Sequence, residues 1–211
     1  GYTDKACEYI FNLLKKYGYK PEYTNKGAVK CALGKNPTLA IAAHVDTLGA
    51  IVSGVNGNGT LSFSSLGGLA LTSAEGEYVK IYSMNGKVFT GTLLLNNPSA
   101  HSNNHRETEK RNYDTMHIRI DNEVYSKKDV TKLGIKTGDM ICFDPRYMEL
   151  PSGFIKSRFM DNKAGCYVLF ELARRLKEKN KEVPVEIFFS LSLIHISEPT
   201  RLRRISYAVF C

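Results

Sequence analysis

The chain has 211 residues, of which 43% are hydrophobic, and a formal net charge of +8; these values predict a soluble globular protein of one or two domains. No apolar run approaches the roughly 20 residues that cross a bilayer, so we expect no membrane segment, and no secretory signal pattern opens the sequence. Basic residues alternate with acidic ones at 106–111 and 177–182, which argues against a nucleic-acid-binding face. Five scattered cysteines without a Cys-x-x-Cys pair favour a reducing, cytoplasmic location.

The N-terminal part of the chain has the pattern of an α/β fold. Thr3 and Asp4 predict the start of an amphipathic helix, which Gly18 ends. Strands are predicted next, at residues 28–33, 39–43, 50–55 and 61–63. The run 39–43 contains no polar residue, which favours a strand that is buried on both faces of a parallel sheet.

The middle of the chain is typical of a β-barrel or a β-sandwich. Short strands separated by frequent turn residues are predicted at residues 78–82, 88–95, 117–120 and 140–143. The histidines of this region, His101, His105 and His117, are interpreted as loop or surface residues rather than metal ligands. We expect residues 70–156 to form a small β-barrel domain inserted into an α/β domain.

The α/β pattern resumes after the inserted region. A second helix is predicted from Asp161 to the residues before Pro184, and a buried strand over Val185–Phe189. The residues predicted on the buried face of this helix are Ala164, Val168, Leu172 and Leu176. The α/β domain is therefore expected to comprise residues 1–69 and 157–190.

Candidate metal ligands follow the strand 39–43. His44 and Asp46 stand two residues apart in an extended segment, so their side chains point the same way at the strand end where α/β folds place their chemistry. An imidazole beside a carboxylate is how a metal-ligating histidine is oriented. Asp161 begins the second helix, from which it can reach the same edge of the sheet. Because a carboxylate can bridge two cations, these residues suggest a two-metal hydrolase.

Four sequence blocks carry a resemblance to a known family. They are residues 42–52 around His44, Leu66–Gly68, Gly134–Asp139 and Phe159–Gly165. In this order they make residues 1–190 similar to the M42 family of metallo-aminopeptidases, of the tetrahedral or glutamyl aminopeptidase type. The resemblance implies a phosphorylase/hydrolase-like α/β metallopeptidase domain, interrupted by a β-barrel domain that helps to assemble large homo-oligomers in the cytoplasm.

The resemblance also implies a chemistry. By it, His44 and Asp161 ligate metal, Asp161 bridges two divalent ions, and Asp46 orients His44. Zinc or cobalt is the usual metal in such families, and imidazole and carboxylate ligands do not choose between them. A metal-bound water would attack the carbonyl at the free amino end of a peptide substrate, assisted by a glutamate base.

Two alternatives remain open. One is another dinuclear α/β hydrolase, such as an M20-type deacylase or dipeptidase. The long β-rich interval between Asp46 and Asp161 favours the M42 interpretation, because in M20-type chains the bridging aspartate comes sooner. The other alternative is a catalytically inactive binding or assembly module.

The chain departs from the family pattern after Ser190. The family has a Glu-Glu pair at this point, which supplies the general base and a metal ligand, whereas this chain continues Leu191-Ser192-Leu193. Residues 191–211 are similar to the translation of a transposase sequencing adaptor, and we interpret them as a tail foreign to the parent protein. The catalytic domain is then incomplete and this chain is expected to be inactive. An incomplete sheet is also expected to expose an apolar edge at 185–189.

Overall fold

The structure is a computed structural model that describes residues 2–99 and 101–192. Its helices and strands are α1 (Asp4–Lys16), β1 (Glu22–Tyr23), β2 (Val29–Ala32), β3 (Leu39–His44), β4 (Gly49–Val55), β5 (Leu61–Leu66), β6 (Tyr78–Tyr82), β7 (Val88–Leu95), β8 (Met116–Ile120), α2 (Lys127–Leu133), β9 (Met140–Phe143), β10 (Met148–Glu149), β11 (Ile155–Lys156), α3 (Met160–Glu178) and β12 (Val185–Ser190). No helix in these described ranges has the length and apolar content that a membrane span requires. Most of the tail interpreted as foreign, from Leu193 onward, lies outside the described residues.

The chain divides into two compact units. Residues 47–159 form the first, here called the barrel unit. The second, the α/β unit, comprises residues 2–46 and the described residues from 160 onward.

The barrel unit is built on six antiparallel strands that close in the order β4-β5-β8-β7-β6-β9. Side chains alternate between the inside and the outside along each strand. Those that fill the interior are 3% exposed or less and include Val52, Phe63, Val79, Ile81, Leu93, Leu95, Ile118 and Ile141. Closure pairs both edges of every strand, which gives this unit a complete core of its own.

The barrel includes strands that the sequence pattern assigned to the α/β domain. β4 and β5 form a hairpin, and they pair with β9 and β8 of the barrel. The boundaries of the barrel unit lie at 46/47 and 159/160, rather than at 69/70 and 156/157. The reason is that a hairpin with one apolar face carries the same alternation in either sheet, so its local pattern cannot specify its partner strands.

The α/β unit contains a four-stranded mixed sheet in the order β1-β2-β12-β3. β12 runs parallel to β3, with Ser190 opposite His44, and antiparallel to β2. Helices α1 and α3 supply Leu14 and Leu169 to a core that also holds Ile187 and Phe189 of β12. The strand predicted over Val185–Phe189 lies in β12, and its parallel pairing with β3 joins it to the strand predicted at 39–43.

Strand β3 is less buried than its apolar sequence predicts. Leu39 to Ala42 are all exposed, and only Ala43 and His44 are buried. Among the described residues the prediction of a strand covered on both faces is wrong, because β3 is an outer strand of the sheet with β12 as its one neighbour there. Within this part of the chain β3 presents an open edge, whereas residues 185–189 lie between β2 and β3.

Helix α3 turns a different face inward than its periodicity predicts. Cys166, Leu169 and Ala173 are its buried residues, whereas Ala164 and Val168 are exposed. Leu172 and Leu176 pack partly against the core. The helix carries apolar side chains on two faces, and periodicity alone cannot tell which face meets the sheet.

Candidate metal centre

The three residues predicted to form the site lie together in the α/β unit. His44 is the last residue of β3 and is 8% exposed. Its Nδ1 lies 2.8 Å from Asp46 Oδ1, and its Nε2 lies 3.1 Å from Asp161 Oδ1. The side chain of Asp161 is 89% exposed, so this carboxylate has free coordinating capacity. The structure thus places a fixed imidazole between an orienting carboxylate and an open one.

The hydrogen bonding of His44 leaves room for a cation. A neutral imidazole carries one N–H, and its other nitrogen presents a lone pair. If Nδ1–H donates to Asp46, the Nε2 lone pair faces an Asp161 oxygen 3.1 Å away. Two lone pairs in this arrangement repel unless a proton or a metal ion lies between them. The pair of atoms is therefore electron-rich and suited to bind a positive charge.

The donor set fits a divalent transition metal in type, but not in number. Zinc bonds of about 2.0–2.2 Å at a tetrahedral angle place two ligand atoms roughly 3.3 Å apart, close to the observed separation of 3.1 Å between Nε2 and Oδ1. Within residues 2–99 and 101–192, no group of three or more His, Cys, Asp or Glu side chains converges on such a point. The described part of the chain therefore offers at most two candidate ligands, His44 and Asp161, with Asp46 beside them.

The start of α3 keeps Asp161 free from helix capping. Asp161 and Asn162 have non-helical backbone angles, and Asn162 Oδ1 accepts the backbone N–H of Gly165 at 3.1 Å. A side chain at position 165 would displace the end of the Asn162 side chain and with it this hydrogen bond. Asn162 is thus the capping residue, and the Asp161 carboxylate remains available to His44.

Two residues that support the site were missed by sequence reasoning. Lys163 Nζ donates to the carbonyl of Val45 at 2.5 Å, and Cys166 Sγ lies 3.4 Å from the carbonyl of His44. Both come from the first turns of α3, so the helix that carries Asp161 also holds the loop that carries His44 and Asp46. Their positions in or beside the block 159–165 are the only signal that could have indicated them.

Cys166 is not a plausible ligand in its own right. Burial raises the pKa of its thiol to about 11. Its Sγ is directed at the His44 carbonyl, and the side chain belongs to the buried core of the α/β unit. The thiol therefore acts as a small packing residue with a weak hydrogen bond to the backbone.

Known proteins match this chain over most of its length. Residues 27–193 match the model of the family described as M42 glutamyl aminopeptidase. YhfE of Bacillus subtilis (strain 168) is 37% identical over 195 residues, which are 91% of this chain and 56% of that protein. The glutamyl aminopeptidase of Lactococcus lactis is 25% identical over 201 residues, which are 92% of this chain and 55% of that protein. The chain thus spans about half the length of these relatives.

Solved structures share the fold. The TET aminopeptidase of a marine-sediment Thaumarchaeota archaeon superposes with a TM-score of 0.78 at 23% identity, covering 90% of this chain and 53% of that one. The TET1 peptidase of Pyrococcus horikoshii gives a TM-score of 0.76 at 22% identity, and the match covers 90% of this chain and 56% of that one. The fold, the family match over residues 27–193 and the 37% identity agree. The chain belongs to the M42 glutamyl aminopeptidase family.

Proposed function

We propose that the parent of this chain is a metal-dependent aminopeptidase whose metal site includes His44 and Asp161. The observation that supports this most is the convergence of His44 Nε2 and Asp161 Oδ1 at 3.1 Å, with Asp46 on the opposite ring nitrogen. Family membership supports the same activity. The alternative of an M20-type deacylase or dipeptidase is not favoured, since the family match is to M42.

Each residue has a distinct proposed role. His44 donates an Nε2 lone pair, Asp161 donates carboxylate oxygens that can bridge two ions, and Asp46 fixes the His44 tautomer by accepting the Nδ1 proton. When bound, zinc or cobalt would lower the pKa of a coordinated water and polarise the scissile carbonyl. Lys163 and Cys166 hold the backbone of the His44–Asp46 loop in place for this purpose.

The chain as it stands is proposed to be inactive. Among the described residues, two ligands and one orienting carboxylate are present, which is too few to hold two ions tightly. The segment after Ser190 lacks the Glu-Glu pair that the family resemblance implies, so no glutamate stands directly after the strand, where the resemblance places the base. Added Zn²⁺ or Co²⁺ should produce no hydrolysis of amino-acyl p-nitroanilides by the 211-residue protein. Turnover that depends on added metal would refute this.

Metal binding tests the site itself. Titration of the purified chain with Co²⁺, followed by visible absorption, should show weak binding of one ion. His44→Ala and Asp161→Ala should each remove it, because each deletes one of two ligands. His105→Ala, which removes an exposed histidine of the barrel unit, is the matched control and should leave the titration unchanged. Co²⁺ binding that survives His44→Ala would place the ion elsewhere.

The intact gene tests the parent function. We propose that residues 191–211 derive from a sequencing adaptor and that the native gene encodes a Glu-Glu pair within a few codons of Ser190. Amplifying the gene from source DNA and reading through that point decides both matters. A native product with metal-dependent release of N-terminal residues supports the aminopeptidase; the same tail in genomic DNA contradicts the adaptor origin.

Peptide substrates and self-assembly complete the proposal. One relative is named glutamyl aminopeptidase, which supports peptides as the substrate class. Similar folds form a dodecamer or assemble into a tetrahedron or an octahedral shell, which supports a homo-oligomeric parent. A cytoplasmic location stays a prediction. Analytical ultracentrifugation of the native product would test the assembly directly.

A further inference from the structure

A groove on the barrel unit combines buried charge with exposed aromatic side chains. Its volume is about 790 Å³, and its walls come from the start of β6 and from the segment 144–158. Glu77 lies at its base with a side chain only 7% exposed. A volume of this size accommodates a ligand of several residues, and a buried carboxylate at the base requires cationic partners.

Two arginines converge on Glu77. Arg158 Nη2 donates to Glu77 Oε1 at 2.8 Å and to the carbonyl of Ser73 at 2.6 Å, so it is held on two sides. Arg146 Nε lies 3.1 Å from Glu77 Oε2. This ion pair keeps the guanidinium of Arg146 beside Glu77, and its two terminal nitrogens have no ion pair or hydrogen bond within the part of the chain that the structure describes. The Arg146 side chain is 67% exposed, so these nitrogens face solvent.

The charges of the groove favour a monoanion. Arg146, Arg158 and Lys156 supply three positive charges, against two negative charges from Glu77 and Asp144. Lys156 forms no ion pair with any of the residues the structure describes. Asp144 Oδ1 accepts the backbone N–H of Arg146 at 2.8 Å, which uses that oxygen locally. One unit of positive charge is left over, which suits a carboxylate better than a phosphate dianion or a nucleic acid.

Aromatic side chains line the same groove as Arg146. Tyr78 and Tyr147 line the groove and are 69% and 62% exposed, and Met148 beside them is 54% exposed. The two tyrosine rings and the Met148 thioether are exposed enough to make apolar contacts with the side chains that neighbour the carboxylate in a bound ligand. A guanidinium with two free terminal nitrogens is the donor that pairs with a carboxylate in two parallel hydrogen bonds.

We propose that this groove binds acidic peptide segments, in which a glutamate or aspartate carboxylate pairs with Arg146 and neighbouring apolar residues contact Tyr78 and Tyr147. Glu77 acts as the positioning residue, since its buried carboxylate forms ion pairs with both Arg146 and Arg158. All the groove residues lie in the barrel unit, so the binding can be tested whether or not the proposed metal site exists.

Chemical-shift titration of the ¹⁵N-labelled 211-residue chain tests the groove. The probe is acetyl-Gly-Phe-Glu-Leu-Gly-amide, whose blocked termini leave the glutamate as its single charge, and the matched peptide has Gln in place of Glu. Shifts should concentrate at residues 76–78 and 144–158, with binding of the Glu peptide about 10-fold or more tighter than that of the Gln peptide. Equal affinity for both peptides would overturn the proposal. So would inorganic phosphate that displaces the bound Glu peptide at a concentration below that at which the Glu peptide itself binds.

Variants locate the binding group. Arg146→Gln should weaken Glu-peptide binding about 10-fold and leave Gln-peptide binding unchanged, because it removes the bidentate donor. Lys87→Gln makes the same charge change at an exposed barrel position outside the groove and should have no effect. An equal loss in both variants would mean general electrostatic attraction, which contradicts a built site. Lys156→Gln, at an unpaired exposed side chain, gives a second measure with a smaller expected loss should Arg146→Gln fail to fold.

Discussion

The barrel unit and the α/β unit differ in how completely they use their strand edges. Each of the six barrel strands has two hydrogen-bonded neighbours, so that sheet has no open edge. In the α/β unit, β3 is an outer strand with Leu39 57% and Ile41 37% exposed, and α3 leaves Tyr167 67% and Val168 62% exposed. Apolar surface of this kind is normally covered by further chain or by a partner. The barrel should therefore be the more stable unit, and the α/β unit the one that depends on additional contacts.

Deleting one buried ring in each unit should give the largest effects. Phe63 in the barrel is 1% exposed and Phe189 in β12 is 0% exposed, and replacing either with alanine should cost roughly 3–5 kcal/mol. We expect Phe189→Ala to abolish hydrogen-exchange protection in the α/β unit, because the free energy of unfolding of this unit is expected to be small. Phe63→Ala should lower barrel protection without eliminating it. Hydrogen exchange read by mass spectrometry separates the units; loss of barrel protection in Phe189→Ala would contradict the comparison.

The barrel also depends on one fully buried carboxylate. Asp139 is 0% exposed, and its two oxygens accept the backbone N–H groups of Met84 at 3.0 Å and Lys136 at 2.9 Å. Asp139→Ala leaves both donors unpaired and should destabilise the barrel by about 2–3 kcal/mol. The exposed Asp121 is the matched control, and Asp121→Ala should change little. Thermal unfolding of the three proteins by circular dichroism provides the measurement; equal midpoints for both variants would show that Asp139 has no special role.

Asp139 shows what a sequence block can and cannot reveal. Gly134–Asp139 helped to indicate the family, but its residues serve the barrel: Gly134 ends α2 at φ 91°, and Asp139 closes the turn before β9. Local patterns located most strands and both long helices because side-chain periodicity follows burial on one face. They did not assign β4 and β5 to the barrel, since strand partners are chosen by contacts distant in sequence.

The candidate site was more predictable than its surroundings. His44 and Asp46 share a direction at a strand end, and the close contacts of the His44 ring nitrogens with Asp46 and Asp161 match the predicted grouping. Their assignment as metal ligands stays a prediction. The contact of Lys163 with the Val45 carbonyl could not be foreseen, because a long flexible side chain has many possible partners. Periodicity likewise misjudged β3, since burial depends on what lies beyond the strand.

The open edge of β3 predicts a measurable association. Ile41→Lys should reduce concentration-dependent light scattering of the chain, because a charge on an edge strand opposes edge-to-edge pairing. Its effect on the free energy of unfolding should stay within about 0.5 kcal/mol, as Ile41 is partly exposed. Val88→Lys places the same charge at an exposed residue of β7 that pairs with Tyr82 of β6, in a sheet that is closed, and should leave scattering unchanged. A similar decrease in both variants would show that net charge, rather than the β3 edge, controls association.

The smallest expected effect is a pH dependence confined to the barrel. His117 lies half-buried on β8 beside Asn96, and burial, with a smaller contribution from Arg119, lowers the pKa of its imidazole. The unfolded state then takes up a proton more readily than the folded state. The neutral His117 side chain therefore contributes to the free energy of unfolding above the ordinary histidine pKa near 6.5, and this contribution is lost as the pH falls through the lowered pKa of the folded state. His117→Asn should flatten the decline of barrel stability between about pH 7 and pH 5, whereas His105→Asn, at an exposed position, should not. Unfolding midpoints measured across this range decide the matter, and an unchanged slope in His117→Asn would place the pH-sensitive group outside β8.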